Sequence, residues 1–173
     1  PSISAIVTAQ EYLVFIENEM PTSMSGDNGL PENWFLKCRN AFNGVLLWKI
    51  PMEGWGMPYW GGGSWFIDRA TLFPVNLARR LVAVHNRIFV TLGYDSPVSK
   101  IDAKTGEILA TYSKTKGANE IVVHDGSLVC SVTNGEDVSI TKIDTASDQV
   151  LWSLEKMFKG AHQKATRGGK LNV

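Results

Sequence analysis

Paired hairpin signals that recur along the chain, turn residues at fixed offsets within them and a scarcity of helical periodicity predict an all-β fold. The expected architecture is a partial β-propeller, in which four-stranded antiparallel sheets stack as blades. Three segments align with one another: Arg39 to Trp48, Ile101 to Ala110 and Ile143 to Trp152. In each, a strand ends and a tight turn at Asn43-Gly44, Thr105-Gly106 or Ser147-Asp148 leads into a second apolar strand. A further hairpin signature precedes each of them, so every unit holds two hairpins and hence four strands.

Taken in order, a first blade is expected over about residues 3–51, with its inner hairpin from Ile6 to Ile16 around Gln10-Glu11. Pro21 to Asn33, rich in Pro, Gly, Ser and Asn, reads as an exposed loop within that blade. A Gly- and Trp-rich insertion follows at 52–78, and Ala70 to Arg80 has room for a turn or two of helix. A second blade is expected over about 79–117, its inner hairpin from Leu81 to Leu92 around His85-Asn86. A third spans about 118–157, with Ile121 to Val132 around Asp125-Gly126. Gly106 and Asp148 stand 42 positions apart, inside the roughly 40 to 50 residues of a four-stranded blade. Arg167 to Val173 reads as a turn entering a further strand, the start of a next blade at 165–173. Closed propellers need about four to eight blades, so the sequence is expected to be one partial domain of a larger ring, completed by blades of the same protein or of another.

The offsets within the turns carry a physical reason. Four positions before the turn glycine or its equivalent stand Asn40, Asp102 and Asp144, whose short side chains can accept from the turn's own N–H groups. Four positions after Gly44, Gly106 and Asp148 come Trp48, Ala110 and Trp152. A tryptophan there offers a flat surface to the neighbouring blade and an indole N–H to a carbonyl. This pattern resembles the pyrroloquinoline-quinone (PQQ) repeat, or quinoprotein-like, propeller family, whose motif runs Ala-x-Asp-x-x-x-Gly-x-x-x-Trp. Residues 101–112 match it up to the glycine, with Ala110 where the tryptophan belongs; the copy at 143–154 has Asp148 for the glycine, and the first has Asn40 for the aspartate.

The resemblance implies a bacterial protein acting in the periplasm or outside the cell. In the quinoprotein dehydrogenases that carry this repeat, PQQ sits near the propeller axis with calcium, an acidic base and often a vicinal cysteine pair. Here Cys38 and Cys130 are far apart in sequence and are read as two unpaired core thiols, with a disulfide left open. Asp102 and Asp144 are better explained as turn caps than as bases. No cofactor is evident, and PQQ with calcium enters only under an alternative reading, in which the chain is part of a dehydrogenase acting on alcohols or sugars.

Charge and composition narrow the remaining classes. Seventeen basic residues balance seventeen acidic ones, so no whole-chain field favours nucleic acid. Charged residues interrupt every apolar run, so no membrane span is expected. His85, His124 and His162 stand singly, the first two on what read as equivalent turn positions, which leaves no expected metal site. Gly61 to Ser64 lacks the lysine of a phosphate-binding loop, and the basic stretch from Lys156 to Lys170 reads as a solvated connection. Trp55, Tyr59, Trp60 and Trp65 crowd into one Gly-rich loop, where they either pack as a local core or stack on a carbohydrate. No catalytic constellation emerges, and the preferred expectation is a noncatalytic binding or scaffold module.

Overall fold

Each inner hairpin closes on a two-residue turn whose first residue has a positive φ: Gln10 at 54°, His85 at 53° and Asp125 at 45°. Such turns match the right-handed twist of the strands they join. The first lies between β1 (Ser2–Ala9) and β2 (Tyr12–Asn18), the second between β5 (Leu81–Val84) and β6 (Arg87–Thr91), and the third between β9 (Ala118–His124) and β10 (Ser127–Asn134). Outer hairpins add β3 (Trp34–Asn40) and β4 (Leu46–Pro51), β7 (Val98–Asp102) and β8 (Ile108–Tyr112), and β11 (Asp137–Asp144) and β12 (Val150–Leu154). The computed structural model describes residues 2–19, 32–56, 58–60, 76–135 and 137–155. Residues 21–31 of the expected loop at 21–33, residues 57 and 61–75 of the expected insertion at 52–78 with Trp65 among them, His162, the basic stretch and the 165–173 strand lie outside these residues.

The twelve strands form three four-stranded antiparallel sheets, each ordered as in the chain: β1-β2-β3-β4, β5-β6-β7-β8 and β9-β10-β11-β12. The fold is therefore all-β and blade-like. The first strand of each sheet lies beside that of the next, β1 against β5 and β5 against β9. A sheet can be buried on both faces only if both alternating side-chain sets are apolar, and β6 has that character. Its Ile88 and Val90 join a core with Val14, Ile16 and Leu36 of the first sheet, whereas Phe89 between them joins a second core with Ile121, Leu128 and Ile143 of the third. All of these side chains are at most 3% exposed.

Every outer hairpin carries the same irregularity. The β3–β4, β7–β8 and β11–β12 registers slip between Cys38 and Arg39, Lys100 and Ile101, and Lys142 and Ile143. One residue of the fourth strand, Leu47, Leu109 or Leu151, is left without a Cα partner. A bulge re-aims the residues beside it, and what it positions here is Trp48, Ala110 or Trp152.

Between Ala70 and Arg80 the described helical content is a short 3-10 turn, Leu77–Arg80. It leads into β5 and packs against β1 and β9.

Candidate functional site

The outer turns are built alike. Asn40 Oδ1 accepts from the N–H groups of Phe42 and Asn43 at 3.0 and 3.1 Å. Asp102 Oδ1 does the same for Lys104 and Thr105, and Asp144 Oδ1 for Ala146 and Ser147. The backbone N–H of the −4 residue donates to Val45, Glu107 or Gln149, and its carbonyl accepts from Gly44, Gly106 or Asp148, all at 2.9 Å. Gly44, Gly106 and Asp148 have φ of 72°, 76° and 60°, so the aspartate holds the glycine conformation. Asp is among the few non-glycine residues that visit this left-handed region routinely.

The first turn-to-strand junction joins the first two sheets. Trp48 Nε1 donates to the carbonyl of Ala103 at 2.9 Å, and Cys38 Sγ reaches the same oxygen at 3.5 Å. The indole lies on Gly106 so closely that a Cβ there would stand 2.8 Å from the ring. At the second junction Ala110 packs against the core between the second and third sheets, and its strand neighbours reach the Asp148 turn instead. Lys100 Nζ donates to both Asp148 carboxylate oxygens at 2.6 and 2.7 Å and to the carbonyl of Thr145 at 3.1 Å. The Tyr112 hydroxyl donates to Asp148 Oδ1 at 2.6 Å. Burial pushes the Tyr112 hydroxyl well above the usual tyrosine range, and the Asp148 carboxylate adds to the shift. Lys100 and Tyr112 were invisible as a site in sequence, because their partner lies more than thirty residues downstream in another sheet. On β12, an edge strand of the third sheet, Trp152 is 42% exposed among the described residues.

The aromatic insertion divides. Trp55 and Trp60 are 3% and 8% exposed and belong to the core between the first two sheets. Trp60 meets Trp34 edge-on at 5.4 Å and Trp55 at 6.3 Å, and Trp55 meets Tyr94 at 6.5 Å. Their ring faces are thus spent on packing, whereas Tyr59 is 53% exposed over Gly54. Gly56 is required where it stands: a Cβ would collide with the Glu32 carboxylate that accepts from Trp34 Nε1. Arg80, 1% exposed, donates to the Tyr94 carbonyl at 2.6 Å and lies over its ring at 4.2 Å. It ties the strand-entry turn to the loop that the insertion packs against.

His85 and His124 line an open cleft of about 520 Å³ between the second and third blades, with Arg87, Phe89 and Val123. They are not equivalent in position. His85 opens its turn, whereas His124 ends β9 opposite Ser127, the place held by Val84 opposite Arg87. The third turn begins one residue later than the histidine spacing implies, and a shift of one along a strand reverses the side chain.

Cys38 and Cys130 are free and buried in different sheets. Burial pushes their thiols up to about 11 and about 12, which leaves little thiolate near neutral pH. Among the described residues, no three His, Cys, Asp or Glu side chains are grouped to hold a metal ion. None of the described helices is long and apolar enough to cross a membrane. The described residues do not fit PQQ with calcium, because Asp102 and Asp144 are committed to their own turns and the cysteines are not vicinal. The chain matches no protein-family model and no curated protein.

Proposed function

We propose that this chain is a PQQ-like propeller segment that serves as a noncatalytic binding or scaffold module, its lateral faces completed by further blades of the same protein or of another. The reading includes a bacterial periplasmic or extracellular setting, on the strength of the repeat motif. The observation that carries it is the Trp48 junction, together with the matching parts left open at the two ends. Trp152 stands on β12 where Trp48 stands on β4 and is 42% exposed among the described residues, and Gly44 has no described atom within 4 Å of where a Cβ would be. A blade that follows would therefore present a glycine turn to Trp152, and a blade that precedes would present an indole to Gly44. The acidic side chains that the motif offers for chemistry act as turn caps, which supports the scaffold role over catalysis.

Addition of PQQ and calcium to the purified chain tests this. The expected result is no bound chromophore and no oxidation of alcohols or sugars. A bound quinone with substrate-dependent dye reduction would replace the scaffold reading with that of a quinoprotein dehydrogenase.

A further inference from the structure

The two departures from the repeat motif belong to the same junction: Ala110 is the cross-strand partner of Lys100, whose ammonium holds Asp148. Ala110 replaces the tryptophan of the second blade, Asp148 replaces the glycine of the third, and they stand in the relation that Trp48 and Gly106 have at the first junction. Sterics tie the two together: with a Cβ on Gly106 only 2.8 Å from the indole, no aspartate fits beneath a docked tryptophan. Ala110 opens the space, and Lys100, the register equivalent of Cys38, fills it. Its ammonium takes the Thr145 carbonyl, the counterpart of the Ala103 carbonyl that serves Trp48. Lys100 is 7% exposed and Tyr112 6%, so the buried ammonium depends on the Asp148 carboxylate for its counter-charge and the hydroxyl depends on it for an acceptor.

We infer that Ala110 and Asp148 are two halves of one exchange: the second junction is a carboxylate lock of Lys100, Tyr112 and Asp148, and it and the indole-on-glycine lock each exclude the other's parts. The turn at 144–148 therefore rejects a tryptophan-bearing face, and the Lys100 face disfavours a glycine turn because the buried ammonium would lose its carboxylate. Blade order is selected by chemistry as well as by chain connection.

A transplant within the full chain tests this. The triple variant K100C/A110W/Y112I gives the second blade the Cys38, Trp48 and Ile50 set of the first while keeping Asp148, and D148G changes the turn alone. Urea unfolding is expected to show each lowering the folding constant more than about tenfold. The four-fold variant K100C/A110W/Y112I/D148G is expected to recover at least about tenfold over the product of the separate losses. If the triple variant does not fold, folding restored by D148G gives the same answer. A four-fold variant no more stable than additivity predicts, or one that stays unfolded with the triple, overturns the inference.

Discussion

At the scale of single residues, the most informative group is the capping oxygen four positions before each turn. Asp144 is held below the usual carboxylate range by the Ser147 N–H and hydroxyl, which outweigh the opposing effect of burial. Asp102 is also lowered: burial opposes, and the N–H groups of Thr105 and Lys104 with the Arg87 guanidinium overcome it. A lowered folded pKa means stability that is complete above the ordinary carboxylate range and is lost as pH falls through the folded value. Asp102→Ala is expected to cost about 1 kcal/mol at pH 7. Asp102→Asn, which copies Asn40, keeps the turn hydrogen bonds and should flatten the acid limb of the stability curve relative to the parent. Thermal melts of the three proteins from neutral to acid pH check this, and an unchanged acid limb in Asp102→Asn would remove Asp102 from the account. The caps were legible because a short polar side chain at a fixed offset from a turn has few other uses. Lys100 was not, since a lysine within a strand ordinarily signals a solvent-facing position; its burial follows from Asp148 in the neighbouring sheet.

At the scale of the hairpin, Gly44 and Gly106 form a controlled pair: the same turn, φ of 72° and 76°, and an indole resting on only the second among the described residues. Gly44→Ala should cost about 1 kcal/mol, the backbone penalty of a left-handed alanine. Gly106→Ala should cost that and a further ~1–3 kcal/mol of overpacking against Trp48. Equal urea midpoint shifts for the two would mean that the docked indole contributes nothing to the junction. The outer hairpins themselves were legible from the Asn43-Gly44, Thr105-Gly106 and Ser147-Asp148 turns flanked by apolar runs. The bulge was not, because Leu46, Leu47 and Trp48 are all apolar and give no sign of which one is unpaired. For the same reason Leu47, Leu109 and Leu151 lie exposed in residue types that sequence reasoning assigns to a core.

At the scale of the whole molecule, two interblade cores hold three sheets side by side, with β1, β5 and β9 nearest one another. The recurrence of four strands announced this arrangement, because a sheet with apolar residues on both faces must be covered twice. The aromatic insertion had no such signature. Its rings lie on no repeat period, and only tertiary contact with Trp34 and Tyr94 makes Trp55 and Trp60 part of the first core. Sideways stacking through a docked turn is read most directly from the indole N–H signals in solution. The Trp48 N–H should exchange slowly with solvent and show a cross-peak to the Gly106 α-protons, while the Trp152 N–H exchanges fast. A Trp48 N–H that exchanges as fast as that of Trp152 and lacks the Gly106 cross-peak would contradict the stacked-blade arrangement.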